Sequence, residues 1–150
     1  MISQKGRWYV GLDVGTKTIG LARAAEGVDH VQPWATLQRE GVAKDLARLG
    51  ARLRELGGPV AGLVVGLPLE LEGGEGRSAR LARQIAEGLS AAGFAVHLQD
   101  ERYSTVEASR RLRERGLDSR AQRGVIDQAA AAVILEDWLA ARARGEGGPA

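Results

Sequence analysis

The 150-residue chain contains no cysteine, which excludes disulfide bonds and thiolate metal sites. It has no apolar run of the roughly 18 residues that a membrane-spanning helix needs. Its N-terminal segment also lacks the apolar stretch of a signal peptide. We therefore expect a soluble, cytoplasmic protein with no membrane partner, in which only Asp, Glu and the two His can act as metal ligands.

Lysine and aromatic residues are scarce as well. Only three of the 21 basic residues are Lys. Arg suits bidentate phosphate contacts better than Lys does, but an Arg-, Ala-, Gly- and Leu-rich chain equally reflects genome composition, and both interpretations stay open. Aromatic residues make up 4% of the chain, too few for the base-stacking platform of a single-strand-binding protein, with Tyr103 as the one residue to watch. The net charge of +2 says little about partners.

The apolar residues that are present follow the periods of strands and helices. We predict strands at 8–14, 18–24, 31–37, 60–66 and 94–98, and helices at 42–56, 77–92, 104–115 and 125–144. Pro33 favours an edge position for the third strand, and the continuous apolar run of the fourth favours a central parallel strand. The pattern predicts an α/β protein with a mixed five-stranded sheet and helices on both faces. We expect one domain over residues 1–150, with loose ends at about 1–6 and 145–150.

Two carboxylates occupy apolar elements. Asp13 lies in the run "VGLDVGTKTIGLA", where an unpaired buried charge would cost several kcal/mol, so it should have a cation, a hydrogen-bond donor or a metal as its partner. Asp127 lies on the apolar face of the last predicted helix. Asp100 and Glu101 follow the fifth strand, at the sheet end where open α/β folds bind ligands, and strand alternation should point them in different directions.

Three carboxylates that converge at one sheet end would form an all-oxygen site, which Mg²⁺ and Mn²⁺ prefer. Two such ions about 4 Å apart can activate water and stabilise the leaving oxygen in phosphodiester hydrolysis. Each acid also has a purely structural explanation. Asp13 can cap a turn, Asp127 can pair with an Arg, and Glu101 can be solvated. Two carboxylates on apolar elements favour a shared cation over these separate explanations.

Four segments together resemble the YqgF/RuvX family: "GLDVGTKTIGLA", "VVGLPLELEGGEG", "DERYSTVEA" and "IDQAAAAVILEDWL". This bacterial group has a ribonuclease H-like fold, and its members are described as Holliday-junction resolvases and as nucleases that mature the 5′ end of pre-16S rRNA. The resemblance runs from Val10 to about Leu139. It implies a metal-dependent endonuclease in which Asp13, Glu101 and Asp127 are the catalytic, metal-binding acids. One departure is that Glu70 and Glu72 stand where relatives commonly have Asn and Asp.

Several residues beside these acids are candidate substrate contacts. Lys17 lies in the turn next to Asp13, where it can hold a phosphate or pair with the carboxylate. Arg102 can position the scissile phosphate or form a structural ion pair, and Thr105 can serve either purpose. Arg77 ends the long glycine-rich loop 66–77, which is typical of a substrate-facing segment but also of an ordinary flexible connection.

A basic segment follows the "DERYST" motif. Six Arg stand against two acids from Arg110 to Arg123, a local charge of +4. The segment could track phosphates, with Arg110 and Arg123 at its ends, or it could be a solvated helix face.

The resemblance favours 5′-end processing of pre-16S rRNA, with Holliday-junction resolution as the alternative. A resolvase that cuts two symmetric strands needs two active sites and hence a dimer, whereas rRNA trimming does not, so a monomer and a noncovalent homodimer both stay open. The first hairpin also resembles the phosphate-binding hairpin of actin-like ATPases and sugar kinases, but a single core of this length lacks their second half. A third hypothesis is a non-catalytic, nucleic-acid-binding assembly factor, against which the presence of all three acids argues.

Overall fold

The computed structural model describes residues 6–28, 30–68, 76–100, 108, 110 and 126–145. The elements in chain order are β1 Trp8–Val14, β2 Thr18–Ala25, β3 Gln32–Gln38, α1 Val42–Arg54, β4 Val60–Leu67, α2 Arg77–Ala91, β5 Val96–Asp100 and α3 Ile126–Ala143. The predicted helix 104–115 lies outside the described residues except for Ala108 and Arg110, and so does most of each predicted loose end. None of the described helices is both long and apolar enough to cross a membrane.

The five strands form one mixed sheet in the order β3-β2-β1-β4-β5. A tight turn makes β1 and β2 antiparallel, and β3 pairs antiparallel with β2. The longer connections through α1 and α2 make β4 parallel to both β1 and β5, since parallel pairing needs a crossover. Pro33 lies in the edge strand β3, beside a register shift in its pairing with β2. The predicted mixed five-stranded α/β sheet is confirmed.

Strand alternation divides the core between the two faces of the sheet. On one face, apolar side chains from all five strands pack against α1 and α2. The buried ones include Val10, Leu12, Val14, Ile19, Leu21, Leu63 and Val65. On the other face, Tyr9 and Val64 pack against Ile134, Leu135 and Trp138 of α3. Helices therefore cover both faces, as predicted.

β5 starts two residues later than predicted. Gly93 adopts a φ of 103°, and the Phe94 N–H donates to the Leu89 carbonyl oxygen at 3.2 Å. This is the glycine-terminated helix end in which a backbone N–H reaches back to a free carbonyl of the last turn. Phe94 thus belongs to the end of α2. The strand in turn includes Asp100, which the sequence had placed just beyond it.

Glycines let α3 lie directly on β1 and β2. A Cβ atom at Gly11 would stand 2.6 Å from the Ala131 carbonyl oxygen, and one at Gly20 would stand 2.1 Å from the Asp127 carbonyl oxygen. Ala22 of β2 and Ala131 of α3 continue this seam of small side chains. The helix backbone therefore approaches the sheet more closely than larger residues would allow, and its first turn lies over β2.

We expect Gly20→Ala to lower the free energy of unfolding by roughly 1–3 kcal/mol or more, because its methyl group must push α3 off the sheet. Gly50→Ala is the control: this glycine lies inside α1, and its nearest neighbour would be Arg54 Nη1 at 3.9 Å. That substitution should raise stability by up to about 1 kcal/mol through helix propensity. Urea denaturation measures both. A Gly20→Ala chain as stable as the wild type would show that the seam is loose.

Candidate active site

Asp13 is the next-to-last residue of β1 and shares its sheet face with Tyr9 and Gly11, the face that α3 covers. In the β1–β2 pairing Asp13 lies opposite Gly20. Because the backbone of Asp127 lies against Gly20, the first turn of α3 meets the carboxyl end of β1. Asp13 and Asp127, 114 positions apart in the sequence, therefore lie at one sheet end.

The two carboxylates interact electrostatically. Burial raises the pKa of Asp13 from an ordinary 3.8 to about 7, and the negative charge of Asp127 adds to this rise. With this pKa, Asp13 is about half protonated near neutral pH in the metal-free chain. Within the described ranges no group of three acidic or His side chains forms a metal site. The two aspartates nevertheless offer only oxygen donors, which fit a hard divalent cation.

Hydroxyl and amide groups tie the first turn of α3 to the sheet. Thr18 Oγ1 donates to Asp127 Oδ2 at 2.7 Å, and Gln128 Nε2 donates to Thr36 Oγ1 at 3.1 Å. No motif in the sequence marks Thr18 for this contact. Its place on the same strand face as Gly20 was the signal available, but the partner could not be known before the position of α3 was known.

Asp100, at the end of β5, lies on the opposite face of the sheet from Asp13. Asp100 pairs with Leu67 of β4, whose side chain belongs to the core beneath α1 and α2. Paired residues of parallel strands point to the same side, so Asp100 does not share the face of Asp13. Glu101 lies outside the described residues, and its part in the site stays a prediction.

Three of the predicted substrate contacts lie in the described part of the chain. Lys17 is exposed in the turn that the Gly15 N–H closes by donating to the Thr18 carbonyl oxygen at 2.8 Å. Arg77 is exposed at the start of α2, on the connection that leaves the carboxyl end of β4. Arg110 is exposed and helical. The remaining three, Arg102, Thr105 and Arg123, lie outside the described residues.

Sequence reasoning missed a buried ion pair beside the site. Asp45 is only 1% exposed, and Arg39 Nε lies 2.8 Å from its Oδ2 atom. The backbone N–H of Glu40 donates to Asp45 Oδ1 at 2.8 Å. Arg39 also donates from its backbone to the Lys17 carbonyl oxygen at 2.9 Å and from Nη1 to the Gly15 carbonyl oxygen at 3.4 Å. The pair thus joins the start of α1 to the turn that follows Asp13.

The family described as "RuvX: Holliday junction resolvase" matches residues 7–141 of the chain. The chain belongs to the RuvX family. A "Putative pre-16S rRNA nuclease" from Anaeromyxobacter sp. (strain Fw109-5) is 48% identical over 135 residues, which cover 89% of this chain and 97% of the relative. The protein of the same name from Moorella thermoacetica is 45% identical over 131 residues, with 87% and 92% covered. The predicted family is confirmed, and these relatives are named as nucleases.

Solved structures show the same fold. Thermus thermophilus RuvC has a TM-score of 0.57 and 18% sequence identity, with 95% of this RuvX chain and 99% of the other covered. RuvC from the same organism in complex with a Holliday-junction substrate has a TM-score of 0.56 and 15% identity, with 96% and 99% covered. At these identities the likeness establishes the fold alone. The predicted ribonuclease H-like fold is confirmed.

Proposed function

We propose that this RuvX-family chain is a metal-dependent endonuclease that hydrolyses phosphodiester bonds in structured nucleic acid, and that its substrate is the 5′ end of pre-16S rRNA. The observation that carries the proposal is the meeting of Asp13 and Asp127 at one sheet end, where burial and like charge bring the pKa of Asp13 to about 7. Membership of the family supports nuclease activity, and the names of its relatives support rRNA as the substrate.

Asp13 and Asp127 would hold a divalent cation, Mg²⁺ or Mn²⁺, with Glu101 as the third ligand. Such a cation lowers the pKa of a bound water and stabilises charge on the leaving oxygen. The protein's own part is to present ionised oxygens at a fixed place. Asp13 would have to release its proton to solvent before it could act as a ligand, and Asp127 accepts a hydrogen bond from the hydroxyl of Thr18.

Exposed basic residues near the same sheet end would bind the substrate backbone. Lys17 follows Asp13 by four residues, and Arg77 begins the helix that leaves the carboxyl end of β4. Contacts of this kind position a nucleic acid without reading its sequence. Arg102, Thr105 and the basic segment from Arg110 to Arg123 complete the proposed substrate surface. A cytoplasmic location and a monomeric or noncovalent dimeric state belong to the same proposal.

Resolution of Holliday junctions is the second candidate, because the family description names that activity. It would require a dimer that presents two copies of the acidic site to strands of like polarity. Such a dimer would have to be held by noncovalent packing, since the chain contains no cysteine.

The test is to incubate the full chain with Mg²⁺ or Mn²⁺ on a pre-16S rRNA fragment and on a four-way DNA junction, side by side. We expect cleavage of the RNA at its 5′ side and an intact junction. Symmetric cutting of the junction alone would favour the second candidate. Binding of the RNA without cleavage under any metal condition would favour a non-catalytic assembly factor. For substitutions of Asp13 or Asp127, Asp137→Asn is a suitable control, since Asp137 is exposed and lies ten residues, about 15 Å, along α3 from Asp127.

A further inference from the structure

Two side-chain hydrogen bonds cross the seam between α3 and the sheet, from adjacent helix residues. Asp127 accepts one from Thr18 of β2, and Gln128 donates the other to Thr36 of β3. All four side chains are partly buried. Each bond uses a threonine hydroxyl of the sheet, but Thr18 donates its bond whereas Thr36 accepts one. Only the Thr18 bond ends on a carboxylate of the acidic site, which consists of Asp13 and Asp127.

We propose that Thr18 is a positioning residue of the acidic site, which acts by holding the Asp127 carboxylate in the orientation that binds a divalent cation. The inference rests on the proposed function insofar as that function assigns a cation to Asp13 and Asp127. A carboxylate has two oxygens and about four lone-pair positions, so one hydrogen bond from Thr18 fixes the group and leaves further lone pairs for a metal. Hydrogen bonds of this kind orient metal ligands and tune their affinity.

The surroundings hold the hydroxyl donor rigidly. Thr18 is β-branched, which restricts its χ1 rotation. Its carbonyl oxygen accepts from the Gly15 N–H at 2.8 Å, and in the sheet Thr18 pairs with Gln38 of β3. Gly20, two residues further on the same face, admits the backbone of Asp127. The turn, the neighbouring strand and the glycine together bring the donor within 2.7 Å of the carboxylate.

Both carboxylates lie at one sheet end, where Asp13 stands opposite Gly20 and the backbone of Asp127 lies against that glycine. Asp127 lies in the first turn of α3. Without the hydroxyl of Thr18, the Asp127 side chain could adopt other rotamers that point away from Asp13. Binding of a cation would then carry the entropy cost of ordering this side chain, a cost that the hydrogen bond from Thr18 removes in advance.

The experiment compares Thr18→Val with Thr36→Val in the full chain, because each removes one hydroxyl from the same seam without changing side-chain shape. The readouts are Mn²⁺ affinity by titration calorimetry, the melting temperature without metal, and the cleavage rate. We expect Thr18→Val to weaken Mn²⁺ binding by about 10- to 100-fold and Thr36→Val by no more than about twofold. The two melting temperatures should fall by similar amounts. Thr18→Ser, which keeps the hydroxyl, should restore most of the affinity.

Equal Mn²⁺ affinity in the Thr18→Val, Thr36→Val and wild-type chains would overturn the proposal and make the Thr18 bond purely structural. Equal weakening in both valine variants would also overturn it, because the loss would then follow from a loosened seam. A wild-type chain that binds Mn²⁺ but cleaves neither nucleic acid would overturn the proposed nuclease activity. In that case the comparison of affinities still decides the role of Thr18.

Discussion

Replacing Asp13 with Asn should reduce cleavage by several orders of magnitude while nucleic-acid binding persists. The substitution keeps the size of the side chain but removes the charge that would hold a cation beside Asp127. Loss of a metal that generates the nucleophile has an effect of this scale, because each factor of ten in rate corresponds to about 1.4 kcal/mol of barrier. Single-turnover cleavage of the pre-16S rRNA fragment measures the effect, and a gel-shift assay at matched salt measures binding.

Asp137→Asn makes the same chemical change on the exposed side of α3 and should cleave at the wild-type rate. If the Asp13→Asn chain cleaves about as fast as the wild type with Mn²⁺ supplied, Asp13 is not a metal ligand. Its place in β1 would then need a structural explanation, and the proposed metal site would lack one of its three ligands.

The second large effect is a dependence of stability on pH in metal-free protein. Asp13 has a pKa of about 7 in the folded chain against an ordinary value of 3.8. Between these values the folded state holds a proton that the unfolded state has released, so stability falls as pH rises. We expect the free energy of unfolding to drop by roughly 2–3 kcal/mol between pH 5 and pH 8 from this group, since one pKa unit is worth about 1.4 kcal/mol.

Urea denaturation in the presence of a chelator at pH 5 and pH 8 tests this expectation. The Asp13→Asn chain cannot ionise at this position and should lose much less stability over the same interval. It should also be more stable than the wild type at pH 8, because the variant neither buries an ionised carboxylate at this position nor places it beside the charge of Asp127. If wild type and variant show the same pH dependence, the acid responsible lies elsewhere in the chain.

Much of the sheet could be predicted because each strand carries its own pattern. The bounds of β1 agree with the prediction, and Pro33 marks an edge strand from local chemistry alone. The predicted start of β5 was wrong because Gly93 and Phe94 complete the end of α2 through a backbone hydrogen bond. An apolar residue such as Phe94 suits either role, and periodicity cannot decide between them.

The candidate acids Asp13 and Asp127 stood out in the sequence for a physical reason: a carboxylate on an apolar element needs a partner. Sequence reasoning overlooked Asp45, which looks like an ordinary acid in the first turn of an exposed helix. Only the fold shows it buried against Arg39, where removing one member of the pair would leave an uncompensated charge.

The sequence by itself determined the family, the order of strands and helices, and which acids stand in apolar surroundings, because these depend on local pattern and on side-chain chemistry. Tertiary structure alone decided which atoms meet. The bond from Thr18 to Asp127 spans 109 positions, and it exists because Gly20 lets the backbone of α3 approach β2. A contact of this kind depends on the distance between two packed elements, and no single stretch of sequence encodes that distance.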